Sequence, residues 1–219
     1  ASIQPPEPLA QGWFNRNSFA VLFGPAKKGK TFVAIDLGMS IATGRGHWMC
    51  GPAEAGRVVY CLGEGISGLN RRIQAWRTHH GITSPAELTV LPHVPQLHNG
   101  VDVTDFIEAV YAHTPDLIVI DTLARATVGV EENSSKDMGE VIAQVDRIKE
   151  ATGACVLVLH HTGKDESRGA RGWSGMRAAS DAEFEVVRDK ATGKRWVETT
   201  KEKDTADEGR IGFKLETVV

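Results

Sequence analysis

The sequence predicts an α/β fold: a central parallel sheet flanked by helices, with an antiparallel extension at its C-terminal end. Three observations predict it. Short apolar runs alternate with segments of helical periodicity, the pattern of βαβ units. The runs VVY, LIVI and VLVL are continuously apolar, as strands covered on both faces must be. After Gly163 the texture changes to a Gly-rich charged stretch and then to short alternating runs joined by turns.

The elements follow in order. Residues 1–17 are rich in Pro and polar groups and read as an N-terminal extension to a domain over 18–219. Trp13 and Phe14 within it pack either on a neighbouring molecule or back on their own domain. Ser18–Phe23 is a strand, and Gly29–Thr43 a helix with Phe32, Ile35, Met39 and Ala42 on one stripe. Arg57–Leu62 is a second strand. Ile66–His79 has helical spacing through Leu69, Ile73 and Trp76. A short strand at Leu88–Leu91 precedes a helix over Val101–His113. Asp116–Asp121 and Ala154–Leu159 are strands on either side of a helix at Lys136–Ala151. Glu183–Arg188, Arg195–Thr200 and Ile211–Leu215 then form antiparallel strands, the first two joined at Ala191-Thr192-Gly193-Lys194.

Bulk properties bound the function. Apolar residues make up 41% and charged residues 24% of 219, an ordinary globular balance. No apolar run is long enough to span a bilayer, and no leader pattern is visible, so a cytoplasmic location without a membrane partner is expected. Net charge is −3, which does not advertise a nucleic-acid partner. Cys50, Cys61 and Cys155 form no CxxC pair, and the latter two sit in apolar runs as small buried hydrophobes.

The sharpest local signal is Gly24-Pro25-Ala26-Lys27-Lys28-Gly29-Lys30-Thr31, followed by Phe32. It fits the phosphate-loop pattern GxxxxGK[ST], with an apolar strand before it and an amphipathic helix after it. Glycines let successive N–H groups face phosphate oxygens, and the helix start adds its positive dipole. Lys30 would bridge the outer phosphates, and the Thr31 hydroxyl would ligate Mg²⁺. ATP with Mg²⁺ is the expected ligand pair. The bland alternative is a Gly-rich turn with a surface lysine.

Carboxylates narrow the field. Asp121 ends DLIVID at the carboxyl edge of the sheet, where ligands of parallel sheets bind, and would hold Mg²⁺ directly or through water. Its alternative is a turn aspartate. Glu64, between Gly63 and Gly65 after the second strand, would position or deprotonate a water for attack on the terminal phosphate; its alternative is a solvated loop glutamate. His160 and His161 follow ACVLVL at another carboxyl end, where one of them could hydrogen-bond the terminal phosphate. A structural pair and a zinc site are the competing roles.

In order, GPAKKGKT, CLGEG, LIVIDT and VLHHTGK resemble the core of RecA-like P-loop ATPases. The likeness is strongest to the hexameric-helicase branch, notably RepA-type plasmid replication helicases and their phage relatives, and spans Ser18 to Leu215. The resemblance implies that Lys30, Thr31 and Asp121 serve nucleotide and metal, and that Glu64 is the catalytic glutamate. It also implies that His160, with His161 beside it, senses the terminal phosphate. Lys201 and Lys203 resemble the lysine pair that such rings insert into a neighbour's site; an exposed pair on an edge strand is the other reading. Asp181–Glu185 lacks the finger arginine of RepA-type helicases, leaving Lys201 and Lys203, Arg171 or Arg177 to replace it, or weak coupling between subunits.

Two segments, Val128–Met138 and Gly163–Gly175, are expected on the carboxyl side of the sheet. In RecA-like rings such loops line the channel. The second carries Lys164, Arg168 and Arg171 with Trp173, suited to phosphate contact and base stacking. Asp165 and Glu166 dilute it, and a lid or subunit-contact loop fits equally. The leading expectation is a homo-oligomeric, hexameric ring ATPase acting on single-stranded DNA as helicase or translocase. A RecA-like recombination or annealing protein, and a regulatory nucleotide-binding protein without a nucleic-acid partner, are the alternatives.

Overall fold

A computed structural model describes residues 5–161, 175–202 and 209–218. The chain opens with a small antiparallel pair, β1 (Pro8–Ala10) and β2 (Phe14–Asn15). The first central strand, β3 (Phe19–Gly24), leads into α1 (Lys30–Ala42). A second small pair, β4 (His47–Trp48) and β5 (Gly51–Pro52), precedes β6 (Val58–Leu62), α2 (Ile66–His80) and β7 (Leu88–Leu91). Next come α3 (Gly100–Tyr111), β8 (Leu117–Asp121), the one-turn α4 (Leu123–Ala126), α5 (Ser135–Thr152) and β9 (Cys155–His161). The last elements are α6 (Gly175–Ala179), β10 (Ala182–Arg188), β11 (Arg195–Glu202) and β12 (Arg210–Phe213).

Eight strands form one sheet in the order β12-β11-β10-β3-β9-β8-β6-β7. The pairings from β10 through β7 are parallel, and β11 and β12 add antiparallel strands at one edge. The parallel sheet with its antiparallel extension is as the sequence predicts. One detail differs: β10 joins β3 in parallel, Phe184 opposite Leu22, so the antiparallel pairing begins only at β11.

Period-2 alternation divides the core. Leu22, Tyr60, Val119 and Leu157 face one side, packed with α1, while Val21, Val59, Ile118 and Val158 face the other with α3 and α5. Local chemistry fixes where α3 and α5 begin. Asn99 Oδ1 accepts from Val101 N at 3.0 Å to cap α3, and Ser134 Oγ accepts from Asp137 N at 3.2 Å to cap α5. No helix among the described residues is long and apolar enough to cross a membrane.

The N-terminal segment folds back on its own domain. Leu9, Ala10 and Phe14 are buried in the α1-side core, and Phe14 packs on Trp48 and Phe184 with centroids 5.6 and 4.8 Å apart. Arg16 pairs with Asp116, which also accepts from Arg57 N. Phe32, read as part of the buried stripe, is instead 41% exposed, and the Arg72 guanidinium lies 5.1 Å from its ring centroid. Because α1 is wedged in the core on most sides, its single open position falls beside the phosphate loop.

Cys61 and Cys155 are buried, and burial pushes the Cys155 thiol up to about 12 and the Cys61 thiol higher. Cys50 is exposed. Thiolate, not thiol, reacts with alkylating agents. The folded chain should therefore take one label per molecule in a timed reaction read by mass spectrometry, and three after denaturation. A second rapid label on the folded chain would contradict this burial.

Candidate active site

The site is built where β3, β9, β8 and β6 end side by side. Gly24 closes β3 at φ 145° and stands opposite His161 in the ladder. A Cβ there would lie 2.6 Å from Val186 O of β10, so the position requires glycine both conformationally and sterically. Lys27 adopts the left-handed region at φ 64°. From outside, the β10–β11 hairpin holds the loop: Lys28 Nζ donates to Arg188 O at 3.2 Å, and Arg195 Nε donates to Lys28 O at 3.2 Å. Pro25 and Ala26 complete the turn, and α1 starts at Lys30 with no acidic residue in its first turn and no side-chain cap at Gly29. Its first N–H groups thus meet no carboxylate of their own helix, and its positive end is left for an anion.

Lys30 is buried, and its ammonium donates to Gly24 O at 2.8 Å and Pro25 O at 3.1 Å. It also meets His161 Nδ1 at 3.0 Å. An ammonium has no lone pair, so Nδ1 accepts and the imidazole proton sits on Nε2. Burial lowers the Lys30 pKa to about 8 against the opposing pull of Asp121. Burial, then Lys30 and His160, lower that of His161.

Asp121 ends β8 one strand beyond β9. Its Oδ2 accepts from Thr31 Oγ1 at 3.2 Å and from Tyr60 OH at 2.9 Å. Burial raises the Asp121 carboxyl above its ordinary range; the two hydroxyls, Lys30 and Arg72 act against that. A buried carboxylate touching a threonine hydroxyl is a set of hard oxygen donors, the kind Mg²⁺ takes.

Glu64 lies two residues past Leu62, which is paired with Asp121 across β6 and β8. Its carboxylate is more than half exposed and pairs with the Arg125 guanidinium from α4. Gly63 makes that crossing possible, since a Cβ there would lie 2.8 Å from Arg125 Cβ and Cγ. Lys30, Thr31, Asp121 and Glu64 thus come to neighbouring strand ends.

A family model described as an AAA domain matches residues 1–167, most of the chain. The chain belongs to that family.

Membership carries a coarse activity: this AAA domain is a P-loop ATPase that binds nucleotide. The matched stretch holds the phosphate loop, Glu64, Asp121 and both histidines, and ends before β10.

Of the two histidines, the structure brings His161 to the site. In β9, Cys155, Leu157 and Leu159 face α1, and His161 continues that row to Lys30. His160 follows Val156 and Val158 onto the opposite face and is buried. Strict alternation from Asp121 and ACVLVL favours His161, the reverse of the order that the resemblance implies, which puts His160 first.

The second lysine group of the sequence lies elsewhere. Lys201 Nζ donates to Ala178 O at 2.9 Å and Ser180 O at 2.6 Å, and to Arg177 O, at the end of α6 in its own chain. Arg177 donates to Thr200 O at 2.7 Å and pairs with buried Glu183 at 3.5 Å. Lys203 lies outside the described residues, as do Lys164, Arg168, Arg171 and Trp173. Two contributors escaped the sequence reading: Tyr60, hidden in a uniformly apolar run, and Arg125, in a helix too short to show a period.

Proposed function

We propose that this AAA domain hydrolyses ATP with Mg²⁺ as a ring-forming, RecA-like motor on single-stranded DNA, a helicase or translocase. The observation that carries the hydrolytic part is Glu64 beside the strand end that holds Asp121, with Lys30 and Thr31 facing that same carboxylate. A switch or a kinase needs the phosphate loop but not a glutamate at the neighbouring strand end.

On this reading Lys30 leaves the carbonyls of Gly24 and Pro25 to donate to the outer phosphates, and the N–H groups of the loop hold their oxygens. Thr31 and Asp121 would hold Mg²⁺, which when bound supplies charge neutralisation for the triphosphate. Glu64 leaves a weak exposed pair with Arg125 and orients the attacking water. His161 stands next to Lys30, where it can report whether the terminal phosphate is present.

The test is phosphate release with and without single-stranded DNA, combined with mass measurement in solution. The motor reading expects hydrolysis to rise about 10²-fold or more with DNA, the scale of an added transition-state contact, on a closed homo-oligomer. Hydrolysis indifferent to DNA on a strict monomer would sink it. That outcome is what a second reading expects, a regulatory ATPase without a nucleic-acid partner. It draws support from Lys201 and Arg177, both engaged inside their own chain.

A further inference from the structure

We infer that Tyr60 is a positioning residue for Asp121, fixing which way the carboxylate presents itself to the cation. The inference rests on the proposed metal role of Asp121. Tyr60 lies in the middle of β6 opposite Val119, so Asp121 is its diagonal neighbour two residues along β8. Tyr60 and Asp121 share one face of the sheet, and the tyrosine side chain is long enough to reach along it to the carboxylate. The ring is 2% exposed, packed in the α1-side core, and its hydroxyl donates to Asp121 Oδ2 at 2.9 Å.

A lone carboxylate at a strand end turns readily, because its last torsion has a broad, two-fold profile. Here Oδ2 takes two hydroxyls from two different elements, Thr31 from α1 and Tyr60 from β6. The two donors are unequal. Thr31 is itself a candidate metal donor, so its hydroxyl is shared with the cation. Tyr60 is held by the core and has no such second duty. It therefore keeps Oδ2 oriented whether or not the metal is bound. A buried hydroxyl costs free energy unless bonded, and phenylalanine would fill the same core space without it. The chain nevertheless carries tyrosine at the one position of β6 whose ring reaches Asp121.

Partners of metal-binding carboxylates typically change metal affinity about 10- to 100-fold when removed. The experiment is Tyr60→Phe in the full chain. Binding of a fluorescent ATP analogue is titrated against Mg²⁺, and thermal melting is followed without nucleotide. The expected result is a half-saturating Mg²⁺ concentration raised about 10-fold. Analogue binding in excess chelator should stay within about twofold, with a cooperative melt retained. An unchanged Mg²⁺ midpoint beside a lowered melting temperature would overturn the inference, because the hydroxyl would then serve packing alone. If the unsubstituted chain binds the analogue independently of Mg²⁺, the metal role of Asp121 falls and the inference with it; only the wild-type titration registers that failure. Manganese in place of magnesium gives a further readout: its midpoint should rise in the variant as well, since both cations take oxygen donors.

Discussion

Replacing Glu64 with glutamine should lower the steady-state rate of ATP hydrolysis by about 10²- to 10⁴-fold, the range for losing a positioned general base. That corresponds to about 3–5 kcal/mol of transition-state stabilisation. The amide keeps the shape of the side chain and loses its charge and its capacity to take a proton. Nucleotide affinity should hold within about twofold, because on the proposed reading Lys30 and the loop N–H groups hold the phosphates and Glu64 orients only the water. Folding should hold too. The pair with Arg125 is more than half exposed on both sides, and such pairs contribute about 0–1 kcal/mol. A Lys30→Ala variant is the control, since it should lose binding itself. Phosphate-release kinetics beside fluorescent-nucleotide titration separate the two effects. Hydrolysis by Glu64→Gln within about fivefold of the parent would remove Glu64 from the chemistry, since such a loss is far below that of a general base.

The strands were legible because burial on both faces leaves a plain mark: VVY, LIVI and VLVL are continuously apolar and every residue in them is buried. The phosphate loop was legible because its backbone needs glycine at fixed places, as the contact of Gly24 with Val186 O makes plain. What stayed hidden has a common cause: it depends on which strands are neighbours. Glu64 comes near Asp121 only because β6 lies beside β8, though the chain separates them by two helices and a strand. Lys201 reads as a free edge lysine until α6 is placed beneath it with three carbonyls to cap. Trp13 and Phe14 read as an extension because Pro-rich flanks give no period, yet their partners Trp48 and Phe184 lie far along the chain.

Phe14→Ala should accordingly destabilise the domain by about 3–5 kcal/mol, the usual loss for a buried aromatic in a packed core. For a chain of this size that lowers the melting temperature by about 6–20 °C. Removing residues 1–17 takes Leu9 as well, and the combined loss approaches the whole stability of about 5–15 kcal/mol that domains possess. A chain beginning at Ser18 should show no cooperative melt. The damage should also reach the phosphate loop. Phe14 and Trp13 rest on Phe184, which pairs β10 to β3 at Leu22, and two residues on, Val186 O sits against Gly24. A loosened β10 loses its hold on Lys28 through the hairpin as well. Phe14→Ala should therefore weaken nucleotide binding at temperatures where the chain is still folded, although Phe14 touches no part of the loop. Circular dichroism melts and nucleotide titration at one low temperature check both halves. If the shortened chain melts cooperatively within a few degrees of the parent, the N-terminal segment is an appendage and this route from the segment to the nucleotide site does not exist.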